Sequence, residues 1–149
     1  MTDPASSTQP ESPLRLGDLQ LAILRVLWAE SEATVVRVHE VIEPVRGCTA
    51  STVATMLSKM EARGLVTHRK EGRQFVYRAL VAEEQAQRSM VRDVTSRLFG
   101  GDPLELVHHL VREDEIDTTD LDAIREMIEA RRAREASDAR TSDEPEATP

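Results

Sequence analysis

Two short runs of this chain carry side chains suited to holding an anionic surface. Ser51, Thr52, Thr55 and Lys59 recur at helical spacings, and Arg69, Lys70, Arg73 and Gln74 fall within six residues of one another. Hydroxyls and an amide offer short hydrogen bonds, and the ammonium and guanidinium groups add charge-assisted ones. This is chemistry of binding, not of bond breaking. The chain has no H-E-x-x-H, no G-x-S-x-G, no Walker loop and no glycine-rich dinucleotide turn, so it is not expected to be an enzyme. The acids of "EDEIDTTDLD", residues 113 to 122, fall at a loop and a helix start, where negative charge offsets the helix dipole.

No cofactor or metal is expected either. Cys48 is the single cysteine, which excludes an intramolecular disulfide and a thiolate metal cluster within one chain. His39 and His68 are read as surface or packing residues. His108 and His109 are adjacent on a helix, so their side chains diverge by about 100° and are poorly placed to share an ion.

The elements that position these groups are mostly helical. Leu16, Leu19, Ile23 and Leu27, widened by Leu24 and Trp28, predict a first helix from Gly17 or Asp18. "TVVRVHEVIEP" supplies Thr34 as N-cap, Val35, Val38 and Ile42 as an inward stripe, and Pro44 as a stop. "TASTVATMLSKMEARG" opens with Thr49 as N-cap and closes with Gly64. Projected at 100° per residue, Val53, Met56, Leu57 and Met60 share one side, with Ser51, Thr55 and Ser58 opposite and Thr52, Ala54 and Lys59 beside them. Short hydroxyl side chains suit a helix that approaches another surface closely.

After Gly64 the period changes to two. "LVTHRK" and "QFVYRA" alternate across "KEGR", which predicts a two-stranded hairpin with Lys70 and Arg73 at its tip and with Phe75 and Tyr77 packed on the helices. Three helices followed by a basic hairpin is the winged helix-turn-helix arrangement. The small-residue helix would enter a major groove while the cations lie along phosphates, so double-stranded DNA is the expected partner.

Charge divides accordingly. Residues 14 to 80 carry ten Lys or Arg against seven Asp or Glu, whereas residues 81 to 136 carry eight against fourteen, in a chain of formal net charge -8. The acidic part reads as three amphipathic helices: Glu83 to Phe99, one capped by Asp102-Pro103 with Leu104, Val107, Leu110 and Val111, and one from Thr118 to about Arg134. They make a thin core for a single chain. A homodimer that buries Met90, Val94, Leu98, Leu106, Leu110, Leu121, Ile124 and Ile128 is expected.

The fold class is therefore mainly α with a small β-hairpin, in two domains: a winged helix-turn-helix over 14–80 and a helical dimerisation domain over 81–136. Residues 1–13 and 137–149, rich in Pro, Ser, Thr, Asp and Glu, read as disordered tails. No apolar run is long enough to span a membrane, and "MTDPASSTQPESP" is unlike a signal peptide, so the cytoplasm is the expected compartment.

The succession "LGDLQLAILRVLW", "TVVRVHEVI", "TASTVATMLSKMEARGLV", "EGRQFVYRAL" and "FGGDPLELVHHLVREDEID" resembles the BlaI/MecI family, the penicillinase-repressor group of bacterial transcription regulators, from about Leu16 to Arg132. The resemblance implies a repressor that binds palindromic operators as a dimer. It also implies release by a membrane sensor metalloprotease that cuts within the dimerisation region, in a β-lactam response. In those repressors the cut falls at Asn-Phe; the matching position here is His109-Leu110, and the chain contains no Asn. Copper-responsive relatives carry a C-terminal cysteine cluster, which this chain lacks. Family members often place Lys or Arg where this helix has Ser51 and Ala54. An alternative from another class is a winged-helix module that docks a partner protein without binding DNA.

Overall fold

The computed structural model describes residues 14–143, and the expected tail over 1–13 lies outside them. The chain forms α1 (Asp18–Glu30), β1 (Ala33–Thr34), α2 (Val35–Arg46), α3 (Ala50–Ala62), β2 (Val66–Glu71), β3 (Gln74–Ala79), α4 (Glu83–Leu98), α5 (Pro103–Arg112) and α6 (Thr118–Ser142). Contacts divide it into two compact units, the first ending at Leu98 and the second beginning at Phe99.

In the first unit the apolar stripes meet as their spacing predicts. Ile23, Leu24 and Leu27 of α1, Val38 and Ile42 of α2, Val53, Leu57 and Met60 of α3, and Val66 and Tyr77 of the sheet close one core. Trp28 stays at its margin because its indole N–H has a polar partner, donating to the Val81 carbonyl at 2.9 Å. Thr34 and Thr49 cap α2 and α3, their hydroxyls accepting from the Arg37 and Thr52 N–H groups.

The sheet has three strands where the sequence predicts two. Its order is β1-β3-β2, with Ala33 opposite Tyr77 and Thr34 opposite Val76. Two residues are too short a run to show alternation, and only pairing with β3 defines β1. The hairpin turns at Gly72-Arg73; Gly72 has φ of 61°, the conformation a two-residue II′-type loop asks of its first position.

α2 passes through Pro44 instead of stopping there. Proline's fixed φ is itself helical, and the ring removes a single donor, the one that Glu40's carbonyl would have taken. Glu40 is exposed and Gly47 closes the helix three residues later, donating to Glu43 at 2.8 Å, so little is lost.

α4 contributes to the first unit: Ala86 lies in its core, and Thr95 is buried with its hydroxyl donating to the Val91 carbonyl at 2.7 Å. Val91, Val94 and Leu98 are exposed. In the second unit, Asp102 caps α5 and Asp117 forms a reciprocal cap with Asp120 at the start of α6. α6 continues to Ser142, past the boundary at 137 where the composition suggested a tail. Ala130, Ala133, Ala136 and Ala139 favour continued helix, and Arg131 pairs with Glu135 at i,i+4. Residues 144–149 lie outside the described ones. Neither α5 nor α6 has a buried residue.

Candidate nucleic-acid interface

α3 offers its hydroxyl face to solvent. Ser51, Thr52, Thr55, Ser58 and Lys59 are exposed and Ala54 is half-buried, while Val53, Leu57 and Met60 point into the core. The partition follows from the 3.6-residue period. The only acid of this helix, Glu61, is turned aside: the His68 imidazole donates from Nδ1 to its carboxylate at 2.7 Å. No carboxylate of α3 is therefore left to repel an anion.

The hydroxyls are partly spent on the helix itself. Thr55 donates to the Ser51 carbonyl at 2.9 Å, and Thr49 Oγ1, accepting from the Thr52 N–H at 3.2 Å, lies 2.9 Å from Thr52 Oγ1. Ahead of the helix, the His39 imidazole donates from Nε2 to the Cys48 carbonyl at 2.9 Å, fixing the turn that delivers Thr49. Cys48 is half-buried with a free thiol, as befits a small packing residue.

α3 leads into the hairpin through Gly64, whose φ is 76°. Gly64 N–H bonds to the Glu61 carbonyl and Leu65 N–H to Met60, both at 3.0 Å, the paired bonds of a Schellman ending. His68 on β2 then reaches back to Glu61 and packs between Phe75 and Tyr77, at ring separations of 4.5 and 5.2 Å. The wing is thereby pinned to the C-terminal turn of α3. Tyr77 is buried as expected; Phe75 is not, remaining 45% exposed with the His68 ring against it. Burial, and secondarily the Glu61 carboxylate, push the Tyr77 phenol above its ordinary value.

Of the predicted cations, Lys70 and Arg73 stand exposed at the tip with no ion pair among the described residues, and Gln74 is exposed beside them. Arg69 differs. Its guanidinium binds Glu32 at 2.8 Å and Glu71 at 2.6 Å, hydrogen bonds that raise its pKa further, the one to Glu32 foremost. Both carboxylates share its charge in this structure, so the phosphate contact expected of it would compete with these ion pairs, and the bond to Glu71 offsets the one acid at the wing tip.

Sequence reasoning missed the Arg69 clamp and the Glu61–His68 pair. Nothing local announces a partner 37 positions away, as Glu32 is from Arg69. The seven-residue separation of Glu61 and His68 across a glycine was a readable signal. Among the described residues no group of three or more His, Cys, Asp or Glu is arranged to hold a metal.

Three helices against a small antiparallel sheet, with the polar face of the third helix open and a cationic hairpin following it, define a winged helix-turn-helix protein. The family described as Penicillinase repressor matches residues 16–130. This chain belongs to the penicillinase repressor family, and it is a DNA-binding transcriptional repressor, not an enzyme. It is 22% identical to the penicillinase repressor of Bacillus licheniformis over 120 residues, covering 80% of this chain and 94% of that one. It is 27% identical to the transcriptional regulator BlaI of Mycobacterium tuberculosis over 117 residues, covering 76% and 83%. A solution structure of the DNA-binding domain of the repressor BlaI aligns with 50% of this chain and 90% of its own, at 27% identity and a TM-score of 0.45.

Proposed function

We propose that this repressor acts in the cytoplasm as a homodimer on an inverted-repeat operator. Ser51, Thr52, Thr55 and Lys59 of α3 lie in the major groove, and Lys70, Arg73 and Gln74 of the wing lie along the flanking phosphates. The observation that carries this reading is the open, acid-free face of α3 beside a wing tip whose one carboxylate, Glu71, is neutralised by Arg69. Positive charge follows the line of a duplex backbone, and the hydroxyl face is small enough for close approach.

Dimerisation is supported by apolar surface that one chain leaves uncovered. Leu121, Ile124, Met127 and Ile128 of α6 are exposed, as are Leu104, Val107 and Val111 of α5, in a unit none of whose described residues is fully buried. On α5 it is these three, with Leu106 and Leu110 half-buried, that we assign to the seam. On α4, in the first unit, Val94 and Leu98 are exposed as well, and Met90 is half-buried. Two copies related by a two-fold axis would set their α3 helices into grooves about 34 Å apart, or a multiple of that.

Release by a membrane sensor metalloprotease would require α5 to open. His109 and Leu110 lie inside that helix, and the His109 carbonyl accepts from the Glu113 N–H at 3.1 Å. In a single chain α5 has no buried residue and opens at low cost, so a proteolytic switch is compatible with this fold wherever the seam over α5 loosens first. No helix among the described residues is long and apolar enough to cross a membrane.

The test is a mobility shift of the full chain against DNA from upstream of its own gene at increasing salt. If about six to ten phosphates are contacted, log K should fall with log[salt] at a slope of about -5 to -9, and footprinting should reveal an inverted repeat. A shift that is insensitive to salt would overturn groove binding.

A further inference from the structure

We infer that α3 recognises its operator mainly through thymine methyl groups, with Thr55, Thr52 and Ala54 as the residues that set specificity. The inference rests on the DNA-binding reading above and deepens it.

The donor inventory of the helix leads there. α3 contains no Arg, Asn or Gln, so of the side chains that single out guanine or adenine in the major groove it has only Lys59. Lys59, the one cation, sits in the last turn. At 1.5 Å per residue it lies about 12 Å along the axis from Ser51, whereas helices of this class read bases chiefly with their N-terminal residues.

The hydroxyls discriminate poorly as well. Serine and threonine can donate or accept, and so pair with either kind of base edge. Thr55 in addition has its single proton committed to the Ser51 carbonyl at 2.9 Å, and Thr52 Oγ1 lies 2.9 Å from Thr49 Oγ1. The lone pairs left on these two oxygens could accept from the amino group of adenine or of cytosine alike and so do not tell one from the other; the features of exposed Thr52 and Thr55 that remain to discriminate are their methyl groups, with the Ala54 methyl between them in sequence. Within the major groove the apolar feature that matches them is the 5-methyl of thymine, the contact that alanine and threonine methyls make. Burying methyl against methyl removes apolar surface from water and, unlike a hydrogen bond, leaves no wrong-base donor to satisfy.

The experiment enriches duplexes from a random library on the full-length chain at low salt. Each thymine in the selected site is then replaced by uracil, which deletes the methyl alone, and each guanine by 7-deazaguanine, which deletes the N7 acceptor. Replacing a contacted thymine should weaken binding about fourfold, the factor for one methyl-sized group removed from burial. Replacing a guanine should change it less than about twofold. Thr55→Ser, which keeps the hydroxyl and loses the methyl, should abolish the uracil penalty at one position per half-site, and Thr55→Val should retain that penalty.

Large 7-deazaguanine penalties with no uracil penalty overturn the inference. So does salt-sensitive retention of the library without an enriched sequence; in both cases the DNA-binding reading survives. If no duplex is retained at any salt, it is that reading which falls first.

Discussion

Arg69 on β2 grips Glu32, in the loop between α1 and β1, at 2.8 Å, and on its other side holds Glu71 at 2.6 Å. A cation that looked free in the sequence is thus a strut between wing and body. The consequence appears in the salt dependence of DNA binding. Lys70→Gln and Arg73→Gln should each reduce the magnitude of the slope by about 1, since each removes a phosphate contact. Arg69→Gln should leave the slope nearly unchanged while weakening binding through a looser wing. A slope loss for Arg69→Gln equal to that of its neighbours would return it to the phosphate-binding set.

The Glu61–His68 pair joins α3 to the wing at 2.7 Å. With both side chains only partly exposed, its removal by His68→Ala should cost about 1 kcal/mol of stability. The larger effect should be on affinity, because the wing tip would no longer keep its offset from α3. Titration of the variant against operator DNA should show weaker binding at an unchanged salt slope. A lowered slope would mean that His68 itself touches phosphate.

Local backbone requirements bracket α3. Gly64 sits at φ of 76° with open space where a Cβ would go, so Gly64→Ala meets no clash and costs only the left-handed conformation, about 1 kcal/mol. Thr49→Ala removes the N-cap and should cost a similar amount. Denaturant midpoints measure both. If Gly64→Ala were neutral, the Schellman ending would not be contributing to stability.

Ile128→Glu or Leu121→Glu should place a charge in the proposed dimer seam and raise the dimer dissociation constant at least about tenfold, with operator affinity falling in parallel. Val107→Glu on α5 should do the same. Sedimentation that shows an unchanged dimer for all three would locate the interface elsewhere.

Alkaline pH offers a further check. The Tyr77 phenol is raised above its ordinary value of 10.0 by burial and by Glu61, so the folded state binds its proton more tightly than the unfolded state does. Stability contributed by this group is complete below pH of about 10 and is lost as pH rises through the higher folded value. Tyr77→Phe should remove that component of the alkaline decline, and ultraviolet titration of the wild type should show phenolate forming later than in the denatured chain. Phenolate appearing at the ordinary pH would contradict the burial.

Much of the architecture was legible in the sequence because it is written in short-range signals. The 3.6-residue spacing of Ile23, Leu27, Val53, Leu57 and Met60 selects the core faces, Thr34 and Thr49 cap the helices that follow them, and Glu71-Gly72 marks the turn of the wing. Those signals depend on neighbours within about four residues, which the chain order itself supplies. Tertiary structure alone decided the rest: β1 exists only by pairing with Tyr77 and Val76, Arg69 is claimed by Glu32, and Phe75 stays in solvent while Tyr77 is buried. Each depends on which distant groups come within a few ångströms once the core has closed, and charges or strand edges that are equivalent along the chain become inequivalent only when their partners are fixed in space.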